Sequence, residues 1–177
     1  YHANFGRPLL GKGARMLTAS TKIVPFNDNA AKAIDKQEVY PAPTKGFTEE
    51  VYKIYPKADK VGNATAVLVN PKGDRGVTMS WPVKQLPFLT QWKNTAAETT
   101  GYVTGIEPGT GFPHNRNYER KFGRVPKLAP GKTRSFDLGF RILGSKSEVE
   151  SAVGDVKKLQ GTTGPEIQKE PEALPEE

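Results

Sequence analysis

The sequence predicts an all-β protein: an antiparallel β-sandwich of at least seven strands followed by a short C-terminal helix. Three observations lead there. Gly (18) and Pro (15) punctuate the 177 residues more often than a helix bundle tolerates. The apolar residues fall in strand-sized runs with a period of two, as in "EEVYKIY" at 49–55. The segment "NATAVLVNPKGDRGVTMSWPV" at 63–83 reads as a hairpin, two such runs joined by a turn carrying Pro, Gly, Asp and Gly in series.

In chain order, "ARMLTASTKIVPF" (14–26) is rich in apolar and β-branched residues and stops at Pro25, which predicts one strand. The Asn/Asp cluster of "NDNAAKAIDKQ" (27–37) caps a short helix or turn, read as connection rather than core. Residues 40–47 hold two prolines and a glycine and form a loop. The strand at 49–55 places Val51, Lys53 and Tyr55 on one face and Tyr52 and Ile54 on the other. After the hairpin come strands at 86–94 and 100–108. Then "TRSFDLGFRIL" (133–143) alternates Phe136, Leu138, Phe140 and Ile142 against polar neighbours, a half-buried strand launched by the "LAPGK" turn. Ser145 or Ser147, each with Glu three residues on, starts a helix over 145–160 with Val149, Val153 and Val156 at helical spacing. The Pro/Glu-rich remainder, 161–177, reads as a mobile or surface-wrapping tail, leaving 1–144 as the sandwich.

Composition excludes some chemistry. The chain has no cysteine, so disulfides, thiolate metal sites and cysteine nucleophiles are out, while cytoplasmic and periplasmic locations both stay open. The net charge of +7 permits an anionic partner, but the basic residues are scattered, which argues against nucleic acid as the ligand. No apolar run is long enough to predict a membrane span. The two histidines sit in no metal-binding pattern, and nothing calls for a cofactor: "GIEPGTG" lacks the Lys-Ser/Thr and the helix of a phosphate loop.

Glu107 stands out. It ends an alternating run and opens on the polar loop "PGTGFPHNRNYER", flanked by glycines that allow close approach of other atoms. It reads either as a solvated edge charge or as a carboxylate presented into a hollow. His2 and His114 read either as structural or solvated imidazoles or as site residues. Trp81, Phe88 and Trp92 read either as core aromatics or as platforms for sugar C–H faces, and Gln91, Lys93 and Asn94 around Trp92 favour it as the platform.

"YHANF" resembles the histidine segment of the galactose mutarotase (aldose 1-epimerase) superfamily, and "GIEPGTGFPHNRNYERKFGRVPKLAPGKT" resembles its carboxylate segment. "NFGRPLLGKGAR", "GFTEEVY", "KQLPFLTQWKNT" and "GYVTGIEP" are similar to its aldose-epimerase-like branch, and the likeness runs over 1–143. The resemblance implies a β-supersandwich in which His2 is the general acid on a ring oxygen and Glu107 the general base on the anomeric hydroxyl. Asn4, Arg7, Gln91, Trp92, Lys93, His114 and Arg116 are then candidates for substrate binding. The superfamily's usual second histidine would lie upstream of Tyr1. The chain is therefore expected to be the C-terminal half, completed by a missing N-terminal half or a second chain. The cations Arg7, Lys93, His114 and Arg116 would favour a phosphorylated, sulfated or uronic sugar. A non-catalytic carbohydrate-binding module is the main alternative, and a polyanion-binding domain the weaker one.

Overall fold

In the hairpin, Asn70 shows how a turn sequence fixes a fold. Its side-chain oxygen accepts from the backbone N–H groups of Asp74 (3.0 Å) and Arg75 (3.2 Å), its amide donates to the Asp74 carboxylate, and Gly73 supplies a left-handed φ of 72°. That turn sets β5 (Asn63–Val69) against β6 (Gly76–Pro82) in unbroken register from Asn63↔Pro82 to Val69↔Gly76. The computed structural model describes residues 1–174, and the last three positions of the expected tail lie outside them.

The hairpin is the centre of a four-stranded sheet completed by β2 (Arg15–Thr18) and β9 (Gly139–Leu143), in the order β2-β5-β6-β9. Facing it is a six-stranded sheet. Its members are β1 (Ala3–Phe5), β3 (Ser20–Pro25), β4 (Glu50–Pro56), β7 (Phe88–Thr95), β8 (Tyr102–Gly109) and β10 (Glu166–Ile167). Their order is β1-β8-β7-β4-β3-β10, antiparallel except for β10 on β3. The predicted antiparallel sandwich is therefore the observed one.

Three details differ from expectation. The single strand predicted at 14–26 leaves one sheet at Thr18 and enters the other at Ser20, with buried Ala19 at the crossing. No Gly or Pro marks that change. The segment 27–37 forms α1 (Asp28–Ala31), capped by Asn27, and a 3-10 turn at Ile34–Lys36, and it buries Ala30 and Ile34 in the core, so it is more than a connection. Over 133–143 only the last five residues pair. Phe140 and Ile142 lie opposite Met79 and Val77, on the inter-sheet side, yet are 48% and 74% exposed because the facing sheet does not extend beneath them.

The main core, including Met16, Ile23, Tyr52, Ile54, Leu68, Trp81, Leu89 and Ile106, fills the space between the sheets. The outer face of the four-stranded sheet is covered by α3 (Lys146–Gln160), whose Val149 and Val156 meet Leu17, Val67, Val69 and Leu143. The helix starts at Ser145, not Ser147. Ser145 Oγ accepts from the Glu148 N–H, and the Glu148 carboxylate accepts from Ser145 Oγ and the Gly144 N–H. The outer face of the six-stranded sheet is left for other use. From Gly161 the chain runs back along it, tied at β10 and again at Glu172.

Candidate functional site

Directly opposed residues in antiparallel strands share a face. The row Lys53↔Thr90↔Glu107 and the row Val51↔Trp92↔Gly105↔Asn4 therefore place all these residues on the outer face of the six-stranded sheet. His2 continues β1 beside Glu107, with its Nε2 2.9 Å from Glu107 Oε1. The resemblance gave the two separate tasks, on a ring oxygen and on the anomeric hydroxyl; in the structure they touch each other. Gly105 makes this contact possible: a Cβ there would stand 2.4 Å from Glu107 Oε1 and 2.9 Å from His2 Cε1. Burial pushes the Glu107 carboxyl up to about 7, against the opposing pull of the Tyr1 ammonium. His2 is half exposed, so its imidazole is reachable from outside.

Trp92 stands beside the pair, edge-on to His2 at 5.7 Å between ring centres, and its Nε1–H donates to Glu49 Oε2 at 2.7 Å. Its orientation is thus fixed and its ring is only partly buried. Asn4 is exposed on the same face.

His114 joins this face from the loop after β8. Its ring is stacked between Phe26 (4.2 Å) and Tyr118 (3.9 Å), and its Nε2 lies 3.4 Å from Lys53 Nζ. Burial, with the Lys53 charge, lowers its pKa to about 4, so the imidazole is neutral near pH 7 and turns a lone pair toward the ammonium. Arg116 opens α2 (Arg116–Lys121), which Asn115 caps by accepting from the Tyr118 N–H. Arg116 is exposed at the mouth of a cavity of about 560 Å3, lined also by Tyr1, Gly109, Phe112, His114 and Arg124.

The remaining candidates are elsewhere. Gln91 and Lys93 flank Trp92 in sequence and so point through the sheet to its buried side. There Gln91 donates to Gln37 O and Tyr40 Oη, and Lys93 donates to Val39 O (3.0 Å) and Lys36 O and pairs with Glu50 (3.3 Å). Burial lowers the Lys93 pKa, and Glu50 works against that. Arg7 sits at the far end of β8, paired with Glu98 and over the Tyr102 ring. These three do not converge with Glu107.

Sequence reading missed Lys53, Glu119, Arg124 and Glu172. Glu119 and Arg124 form a buried fork: Nε to Oε2 at 2.8 Å and the second terminal nitrogen to Oε1 at 3.0 Å, with the Phe112 N–H adding a third bond at 2.9 Å. Gly111 leaves the room, since a Cβ there would come within 2.7 Å of Glu119 Oε2. Lys53, wholly buried, and Arg124 both reach Glu172 of the tail. The alternation at 49–55 gave the direction of Lys53, but nothing local showed what it would meet. Among the described residues no group of three or more His, Asp or Glu is arranged to hold a metal, and no helix is long and apolar enough to cross a membrane.

Residues 1–142 match the model of a family described as a domain of unknown function (DUF4432). The chain belongs to this family. The crystal structure of a "putative aldose 1-epimerase" from Klebsiella pneumoniae subsp. pneumoniae MGH 78578 superposes with a TM-score of 0.94 at 41% identity over 98% of the chain. The fold is that of the aldose-epimerase-like superfamily, as the His2 and Glu107 segments implied. The chain spans 45% of that neighbour's length. Nothing among curated proteins matches it.

Proposed function

We propose that this member of the DUF4432 family is a sugar epimerase that interconverts anomers or epimers of an aldose or aldose derivative through Glu107 and His2. One observation carries the reading: a carboxyl held near pH 7 lies 2.9 Å from the Nε2 of a half-exposed imidazole, on an open sheet face beside an oriented tryptophan. A base titrating near the working pH both accepts and returns a proton efficiently. The Glu107 carboxylate takes the proton of the anomeric hydroxyl, the C1–O1 bond gains double-bond character, and the ring C–O bond breaks as His2 protonates the leaving ring oxygen. Rotation about the C1–C2 bond and reversal of each transfer give the other anomer. Because His2 and Glu107 touch, the sugar hydroxyl enters by displacing the imidazole from the carboxylate. His2 has the exposure to move aside. Trp92 offers its ring to the sugar's C–H face, and Asn4 offers an amide to a hydroxyl.

Polarimetry of freshly dissolved aldoses tests this. Faster equilibration with protein than with buffer is expected, and saturable binding without acceleration would favour the non-catalytic carbohydrate-binding reading instead.

The pH dependence follows from the same carboxyl. As the base, Glu107 works when ionised, so kcat/KM should rise as pH passes through about 7, and the limb should vanish in Glu107→Gln. For stability the sign is opposite. A carboxyl whose folded value is raised from 4.5 to about 7 keeps its proton longer folded than unfolded, so stability should fall between those two pH values, and Glu107→Gln should flatten that fall.

We also propose that a further segment covers β9. Phe140 and Ile142 are exposed on the inter-sheet side, Tyr1 lies 6.1 Å from Phe140 between ring centres, and among the described residues β9 is an edge strand of its sheet. The expected result for residues 1–177 alone, by light scattering, is association, relieved when the upstream half of a full-length relative is co-expressed. A cooperatively melting monomer would count against it.

A further inference from the structure

The tail places one carboxylate where the sheet face is most cationic. Glu172 Oε2 accepts from Lys53 Nζ and from both terminal nitrogens of Arg124, each at 3.0 Å, and Oε1 accepts from Tyr55 Oη at 3.1 Å. Burial alone would raise the Glu172 carboxyl, but the Arg124 and Lys53 hydrogen bonds outweigh it and hold the group below its usual range. The rest of the tail is lightly held. It has the two-residue bridge to β3 with the Gln168 N–H donating to Ile23 O, the Tyr118 hydroxyl on Glu172 O at 2.8 Å and surface pairs of Glu166 with Lys22 and of Lys169 with Asp35, while Ile167 and Leu174 stay substantially exposed.

Charge accounting shows what can replace it. Lys53 and Arg124 are buried cations, Glu119 and Glu172 their anions, and His114 is neutral. Withdrawing Glu172 leaves one uncompensated positive charge beneath the surface, a costly state unless another anion enters. Lys53 shares a sheet row with Glu107, two strand spacings away or roughly 10 Å between Cα atoms. Thr90 lies between them on the same face.

We propose that Lys53, Arg124 and Tyr55 form an anion subsite of the Glu107 face, that Glu172 occupies it as an internal stand-in, and that the ligand is a sugar carrying a carboxylate that displaces the tail. The class rests on the proposed epimerase reading; the subsite does not. A carboxylate fits because Glu172 is one, held by a fork of two guanidinium nitrogens, an ammonium and a phenol. These cations are distinct from Arg7 and Lys93, which pair with Glu98 and Glu50 away from this face.

The test uses the 177-residue chain with Glu172→Gln, which keeps the shape and removes the charge. First, melting is followed in sodium acetate against sodium chloride of equal ionic strength. Acetate should raise the Tm of E172Q more than that of wild type, and the difference should disappear in the double variant K53M/E172Q. Equal shifts in all three proteins would overturn the subsite. Second, calorimetry compares glucuronate, glucose 6-phosphate and glucose. Removing an intramolecular competitor present at millimolar effective concentration should tighten glucuronate binding about tenfold or more and leave glucose unchanged. Glucose 6-phosphate gaining more than glucuronate, or all three gaining alike, would overturn the carboxylate class. Acetate rescue with no sugar binding would uphold the subsite and overturn the sugar reading.

Discussion

Replacing Glu107 by Gln is expected to slow sugar interconversion by about 100- to 10,000-fold while leaving sugar binding nearly unchanged. Gln keeps the shape and a polar atom toward His2, so the 2.9 Å contact and the neighbouring Trp92 need not move. What it cannot do is take a proton. The loss should therefore fall on kcat, with KM close to wild type, and polarimetry with one tight-binding aldose separates the two parameters. Full activity in E107Q would remove Glu107 from the chemistry and transfer the base role to another group on this face. An equal rise in KM with kcat intact would mean that the carboxylate serves binding alone.

The part of this site that the sequence discloses and the part it hides differ for physical reasons. The rows of the sheet follow from strand alternation, so the direction of Lys53 and Tyr55 and the placing of Glu107 at a strand end were legible. The same rule, applied one residue either side of Trp92, sends Gln91 and Lys93 to the buried face, away from a ligand on the Trp92 side. The split of 14–26 between sheets was not legible. Met16 faces the inter-sheet core and Leu17 the helix, and with both faces covered the hydrophobic pattern loses its period of two just where the strand changes partner.

The tail was hidden for another reason. Its composition offers little apolar area, which is the usual mark of a segment that does not pack. Glu172 is held instead by charge, and its partners Lys53 and Arg124 are 119 and 48 positions away. No local pattern reports a contact of that kind. The exposed alternate face of β9 teaches a related lesson: Phe140 and Ile142 carry the signature of burial, and the sequence correctly marks them as inward-facing, but whether a cover exists depends on what the facing sheet reaches.

The largest stability effect is expected at Glu119. Glu119→Ala leaves Arg124 with Glu172 as its remaining carboxylate partner and strips the Phe112 N–H of its acceptor, both groups being buried. Removing one member of a buried, hydrogen-bonded ion pair costs about 3 to 5 kcal/mol, since the surviving charge stays buried. For a chain of this size that lowers Tm by roughly 6 to 20 °C. Arg124 also lies 4.0 Å over the Phe122 ring and 5.1 Å from that of Phe112, so the loop from Gly109 to Arg124 is organised around this one guanidinium. Its loosening should reach His114, which that loop presents to Lys53. Glu98→Ala is the matched control: it removes the carboxylate of an exposed pair with Arg7, where solvent screens both charges, and should cost less than about 1 kcal/mol. Scanning calorimetry of the two variants beside wild type decides the point. A Glu119→Ala melt no lower than that of Glu98→Ala would mean that the fork is solvated and that Arg124 is held in place by its aromatic neighbours and Glu172 alone.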